Sequence, residues 1–118
     1  KIMFRKNRRE YVRLPAHHLI KYRVLEKERI FSFARNVSSA GLCFHCKENI
    51  PIGSVVEILI NFPGLPEPVK VLAKVTWLKT LKSTEGFQAG VRFVNIDDNS
   101  RSFINERILK FFKGSTEE

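Results

Sequence analysis

Apolar and polar side chains alternate along most of the chain, in short bursts separated by turn-forming residues. Ile20, Tyr22 and Val24 are interleaved with Lys21 and Arg23. Strand side chains point to opposite sides with a period of two, so residues 19–25 are predicted to form a half-buried strand. A second burst sets Ile30, Ser32 and Ala34 against Phe31, Phe33 and Arg35, and Leu42 to Cys46 forms a short third. Val56, Ile58, Ile60 and Phe62 share one face of a fourth strand over 55–62. The segment Pro63-Gly64-Leu65-Pro66-Glu67-Pro68 is a turn by composition. Val69, Val71, Ala73, Val75 and Trp77 then line one face of a fifth strand, which assigns Trp77 to the core. The polar stretch Lys79 to Gly86 reads as a loop, and Phe87, Ala89, Val91 and Phe93 mark a sixth strand.

The period changes near Asp97. Phe103, Ile104, Ile108, Phe111 and Phe112 recur at helical spacing, with Arg101, Glu106, Arg107 and Lys110 on the other side. Asp97 or Asp98 suits the N-cap and Gly114 the C-terminal stop, which predicts an amphipathic helix over 97–113. There is no strand–helix alternation to support a parallel sheet. The expected fold is therefore an all-β core, a six-stranded antiparallel β-barrel with a C-terminal amphipathic α-helix over one mouth or face. Closure is favoured because it removes exposed edges.

A length of 118 residues fits one domain, and a hydrophobic fraction of 43% supplies one core. No apolar run approaches the roughly 20 residues that cross a bilayer, and the start lacks the long apolar stretch of a secretory signal. Cys43 and Cys46 are the only cysteines, so a cytoplasmic, reducing setting is expected. The sequence begins at Lys1 without Met, which leaves room for an upstream domain.

Charge changes the picture more. The formal balance is +9, from 21 Lys and Arg against 12 Asp and Glu. Such a surplus favours nucleic acid, nucleotide phosphates or an anionic membrane. It is unevenly spread. Lys1, Arg5, Lys6, Arg8, Arg9 and Arg13 are opposed at the N-terminus only by Glu10. The expected division is a basic arm over 1–14, the barrel and helix over 15–114, and a tail over 115–118. Guanidinium groups bind phosphate bidentately, stack on bases, and reach the O6 and N7 edge of guanine. Taken alone, the arm reads more simply as a solvated basic tail. Asn36-Val37-Ser38-Ser39-Ala40-Gly41 lies between two strands. Asn and Ser build such turns, and Gly admits positive φ and close approach of a ligand. Taken alone, this is an ordinary hairpin turn.

Together the two carry more. Arg8-Arg9-Glu10-Tyr11-Val12-Arg13 is an RRxxxR pattern, and about two dozen residues later comes Asn36-x-Ser38-x-x-Gly41. In this order and spacing they resemble the PilZ domain family. Val75-Thr76-Trp77, Gly90-Val91-Arg92-Phe93 and the closing helix extend the resemblance over nearly the whole chain. It implies a six-stranded antiparallel barrel that binds cyclic di-GMP, a bacterial second messenger, and acts in signal transduction without catalysis. By the same resemblance Arg9 and Arg13 hold phosphate and guanine groups. Arg8 is similar to the arginine of members that bind a stacked ligand dimer. Asn36 and Ser38 contact a guanine, and Gly41 shapes the turn. Arg35 and Trp77 are further candidate contacts. The arm closes on the ligand as a switch, and an effector protein or an upstream domain receives the signal.

Other signals point nowhere further. Cys43-Phe44-His45-Cys46 looks like half a zinc site, but strand residues three apart face opposite sides and no second pair completes four ligands. His17 and His18 read as a solvent-facing pair. No Ser–His–Asp set, paired carboxylates or phosphate-cradling Gly loop stands out, so neither an enzyme nor a metal site is expected. The rival reading is a small basic β-barrel that binds single-stranded nucleic acid. The concentration of charge in one arm and the absence of an aromatic stacking row weigh against it. A PilZ-like adaptor without a ligand is disfavoured by the intact arginines.

Overall fold

The computed structural model describes Leu14, residues 17–82 and residues 85–116, with side chains described through Lys110. The six expected strands are present: β1 (His18–Val24), β2 (Ile30–Arg35), β3 (Gly41–Cys46), β4 (Val55–Ile60), β5 (Val69–Thr80) and β6 (Phe87–Asn95), followed by helix α1 (Asp98–Thr116). All neighbouring pairs are antiparallel, and the strands close in the order β1-β2-β3-β6-β5-β4. The chain therefore crosses the barrel between β3 and β4, and β4 returns to pair with β1.

The alternation that defines the strands also fills the barrel. Ile20 and Tyr22 from β1, Ala34 from β2, Leu42 and Phe44 from β3, Val56, Ile58 and Ile60 from β4, and Ala89 and Val91 from β6 form one buried cluster. His18 belongs to the same side of β1 as Ile20. It is buried, with its ring 4.9 Å from that of Phe62. The expectation of a solvent-facing histidine pair thus holds only for His17, because the strand begins one residue earlier than the pattern predicts. The hydroxyl of Tyr22 donates to Glu48 Oε1 at 2.8 Å; burial and that carboxylate push its pKa up.

Two boundaries differ from expectation. The loop predicted from Lys79 is strand as far as Thr80, because Trp77 to Thr80 pair with Gly90 to Phe87. Helix α1 runs through Gly114 to Thr116. A helical glycine costs only about 1 kcal/mol relative to alanine, too little to force a stop by itself. Asp97 is the N-cap: its Oδ1 accepts from the Ser100 amide at 2.7 Å. Ile104 and Ile108 join the core, Phe103 meets Phe62 edge to face at 5.2 Å, and Arg107 donates to the Pro63 carbonyl at 2.6 Å. The helix is thereby tied to the segment that follows β4. No helix among the described residues is long and apolar enough to cross a membrane.

Glu57 escapes notice in the sequence. It lies on the outer side of β4, yet it is only 5% exposed. Its carboxylate meets Arg29 at 2.9 Å, Arg23 at 3.0 Å and Lys70 at 3.3 Å. The Arg29 hydrogen bond holds its carboxyl below the usual range, with Lys70 and Arg23 adding to the effect and burial opposing it. Its partners are substantially exposed, so solvent screens the cluster. Glu57→Gln is therefore expected to lower stability at neutral pH by about 1 kcal/mol. The folded pKa lies below the unfolded value, so this stabilisation is present above the ordinary carboxylate pKa of about 4.3 and fades as pH falls through the folded one. Urea unfolding should separate wild type from variant at neutral pH and bring them together in strong acid. Equal stability at neutral pH would show that the cluster contributes nothing.

Candidate functional site

The turn between β2 and β3 is built by its own side chains. Asn36 takes the left-handed conformation, φ 57°, which its short polar side chain tolerates. Val37 turns inward and is fully buried. Ser38 is also fully buried, 0% exposed. Its Oγ accepts from the amides of Ala40 at 3.0 Å and Gly41 at 3.2 Å, while its own amide donates to the Gly41 carbonyl at 2.9 Å. Ser38 thus closes the turn from within, and no part of it faces solvent.

Gly41 is required for a reason other than the expected one. The turn residue with positive φ is Asn36, and Gly41 opens β3. A Cβ at Gly41 would fall 2.2 Å from the Val91 carbonyl oxygen. The absent side chain lets the β6 backbone lie against the turn.

Beside the turn, one row crosses the outer surface of four strands. Arg35 pairs with Cys43, Cys43 with Gly90, and Gly90 with Trp77. Trp77 belongs to this row because of a bulge, which corrects its assignment to the core. Val75 pairs with Val91 and Trp77 with Gly90, so Thr76 is an extra residue on β5. The Thr76 hydroxyl donates to the Gly90 carbonyl at 3.2 Å. Beyond the bulge the phase inverts: Leu78 packs against the core and Trp77 is 42% exposed. Gly90 is the signal that could have revealed this, since a Cβ there would sit 2.1 Å from the indole. Strands lie about 4.8 Å apart, so Arg35 and Trp77 frame a floor roughly 14 Å across.

Cys43 forms that floor. It faces away from the barrel core, yet it is only 6% exposed. The Asn36 side-chain amide donates to its sulfur at 3.5 Å. A cleft of about 210 Å³ lies alongside, lined among others by His17, Arg35, Cys43, His45 and Gln88. Period-two alternation alone places Cys43, His45 and Gln88 outward, but their meeting depends on strand order. Cys46 lies in the core, and burial with the nearby Glu48 carboxylate pushes its thiol pKa up to about 11. The two thiols face opposite sides, and among the described residues no group of His, Cys, Asp and Glu could hold a metal ion.

Arg8, Arg9 and Arg13 lie outside the described residues. Their point of attachment does not. The Leu14 amide donates to the Val37 carbonyl at 2.8 Å, an isolated antiparallel bridge. The residue after Arg13 is thus pinned to the Asn36–Gly41 turn at Val37, next to Asn36. A cation, an indole face and an amide edge, set around a floor of small residues, suit a planar base carrying phosphate.

Solved structures share this architecture. The Bacillus subtilis inhibitor of motility (MotI/DgrA) is similar with a TM-score of 0.79 at 16% identity, over 98% of this chain. The chain spans 55% of that protein's length. The PilZ domain of YcgR from Escherichia coli, solved with c-di-GMP, is similar with a TM-score of 0.70 at 15% identity, over 93% of this chain and 95% of that one. At these identities the likeness is one of fold. No curated protein matches the chain. A family model for the PilZ domain matches residues 7–110, which takes in the RRxxxR arm, the Asn36–Gly41 turn, all six strands and most of the helix, and the chain belongs to the PilZ domain family.

Proposed function

We propose that this domain is a non-enzymatic receptor for cyclic di-GMP, and that the basic arm of residues 1–14 closes over the ligand against the barrel of residues 15–114. Family membership supports the ligand class, and the YcgR PilZ domain of similar fold was solved with c-di-GMP. The observation that carries the reading is the Leu14–Val37 bridge. It fixes the base of the arm at the turn that holds Asn36, so Arg9 and Arg13 need cross only a few residues to meet a ligand there. In this reading they neutralise phosphate and grip a guanine edge. Asn36 reads the guanine from the barrel side, Arg35 and Trp77 flank it, and Ser38 and Gly41 hold the turn in shape. Arg8 recruits a second, stacked ligand.

The arm repels itself while empty and is drawn down by the dianion. A ligand shifts such an equilibrium only by its differential affinity for the closed form. Closure then repositions an upstream domain or exposes a surface to an effector protein in the bacterial cytoplasm. Calorimetric titration with cyclic di-GMP tests the reading. Two phosphates give a shallow dependence on salt, whereas a nucleic-acid interface gives a steep slope in log salt. Absence of cyclic di-GMP binding at tens of micromolar, or tighter binding of a mixed-sequence single strand, would overturn it.

Asn36 offers a finer check. A carboxylate accepts from both N1–H and N2–H of guanine, whereas the amide has one acceptor oxygen. Aspartate also tolerates the left-handed backbone at this position. Asn36→Asp is therefore expected to tighten cyclic di-GMP about 2- to 10-fold, the scale of one added hydrogen bond. Unchanged or weaker affinity in the same titration would remove Asn36 from the guanine contact.

A further inference from the structure

We propose that the outer face of β1 and β2 is a peripheral docking surface for an anionic lipid membrane. The inference does not depend on the ligand of the candidate site. Strand residues alternate sides, so Leu19 and Lys21 on β1 and Phe31, Phe33 and Arg35 on β2 share the side away from the buried core. The register sets Leu19 beside Phe33 and Lys21 beside Phe31. Phe31 is 65% exposed, Phe33 59% and Leu19 41%. Ile30, next to Phe31 at the end of the strand, is exposed as well. A lone apolar residue on a surface is ordinary, but a contiguous set on two paired strands marks a contact surface. Helix α1 leaves this set open, since it packs on Phe62 and Pro63 in the segment after β4.

The charges around the rings select the occupant. Lys21 Nζ lies 4.9 Å from the centroid of the Phe31 ring. A lysine placed so keeps its stem on apolar surface and its ammonium at the boundary with water. An open hollow of about 600 Å³ beside the two rings is lined further by Leu19, His45, Lys47 and Glu85. Lys21, Arg35 and Lys47 outnumber the nearby Glu85 and Glu48, and Glu48 accepts from the Tyr22 hydroxyl. A second copy would press two chains of formal charge +9 together at a face that is itself cationic. The same charges attract anionic headgroups. An acidic protein shares that attraction, but it must offer a shaped pocket to two rings that stand out from the face. A lipid interface accepts protruding aromatic groups without one. Phe31, Phe33 and Leu19 thus enter the boundary between headgroups and acyl chains, with Lys21 and Lys47 at the level of the lipid phosphates.

The test is cosedimentation of the full chain with vesicles of equimolar phosphatidylglycerol and phosphatidylcholine, against vesicles of phosphatidylcholine alone. The basic arm also attracts anionic lipid, so it stays wild type in every variant. Wild type should partition onto the anionic vesicles and far less onto the neutral ones. Phe31→Ser combined with Phe33→Ser should lower the partition coefficient about 10-fold or more, the scale of two aromatic side chains withdrawn from an apolar phase. Its melting temperature should match wild type, because both rings are exposed. Lys21→Glu should weaken partition about 5-fold or more, since each lysine near the membrane surface contributes on that scale. Lys74→Glu makes the same change of charge on β5, across the barrel from β2, and should cost less than about 2-fold because salt screens it at that distance. Equal partition of wild type and the phenylalanine double variant, or equal effects of the two lysine reversals, would overturn the proposal. A wild type that ignores anionic vesicles would also overturn it and leave the face to a protein partner. So would self-association without vesicles, seen by sedimentation velocity and abolished by the phenylalanine substitutions, since a second copy would then cover the face.

Discussion

Arg9→Ala and Arg13→Ala are each expected to weaken cyclic di-GMP about 10- to 100-fold, because a charge-assisted hydrogen bond is worth roughly 1.5–3 kcal/mol. Both residues precede Leu14, whose amide is bound to the Val37 carbonyl at 2.8 Å. A segment tethered so near its target pays little loop-closure entropy, which grows only slowly with length. The loss should therefore report the guanidinium contacts rather than the cost of bringing the arm in. Arg→Lys at either position should recover only part of the affinity, since an ammonium supplies the charge without the bidentate fork. Thermal stability should be unchanged in all of these variants, because the buried cluster is built from Leu14 onward among the described residues. Arg8→Ala is expected to act differently, reducing the number of ligands per chain while leaving the first site. Calorimetry reads affinity and stoichiometry together. Alanine variants of Arg9 and Arg13 that bind within about two-fold of wild type, below the scale of one such bond, would exclude the arm as the phosphate clamp.

The barrel was legible because its determinants are local. Every strand except part of β5 follows from alternation, and alternation is a property of neighbouring residues. What stayed hidden depends on register. Trp77 continues the apolar phase of Val69 to Val75 without a break, and Thr76 looks like any outward strand residue. Only the pairing of β5 with β6 makes Thr76 a bulge and turns Trp77 out over Gly90. Glu57 likewise looks like a solvent-facing carboxylate. Its burial comes from Arg23 and Arg29, more than twenty residues away, and Lys70 on the next strand. The paired motifs were legible as a pattern, but the roles inside them were not. Ser38 reads as a polar group for a base edge and Gly41 as a residue that shapes the turn, whereas Ser38 lies wholly inside the turn and Gly41 makes room for β6. Cys43, whose sulfur accepts from the Asn36 side-chain amide, was visible only as half of a metal-site pattern.

Gly41→Ala is expected to damage the barrel and the candidate site together. The added Cβ would lie 2.2 Å from the Val91 carbonyl oxygen, 3.2 Å from its carbon and 3.3 Å from the Arg92 Cα. All three are backbone atoms, so no rotamer change relieves the contact. The strands must separate, and Gly41 stands at the first of six consecutive pairs that join β3 to β6. The same residue receives the Ser38 amide on its carbonyl and donates its own amide to Ser38 Oγ. Moving it therefore strains the ladder and the turn together. Overpacking of this kind costs about 1–3 kcal/mol, and here the upper end applies because nothing flexible can yield. For a domain of this size the melting temperature should fall by about 10 °C or more. Ser38→Ala, which removes only the hydroxyl, should cost about 1 kcal/mol and a few degrees. The two variants should also part in binding. Gly41→Ala displaces Asn36 and the attachment of Leu14, and so should lose ligand affinity even at temperatures where it remains folded. A Gly41→Ala protein with wild-type melting and wild-type affinity would mean that β6 does not approach the turn as closely as its carbonyl at Val91 requires.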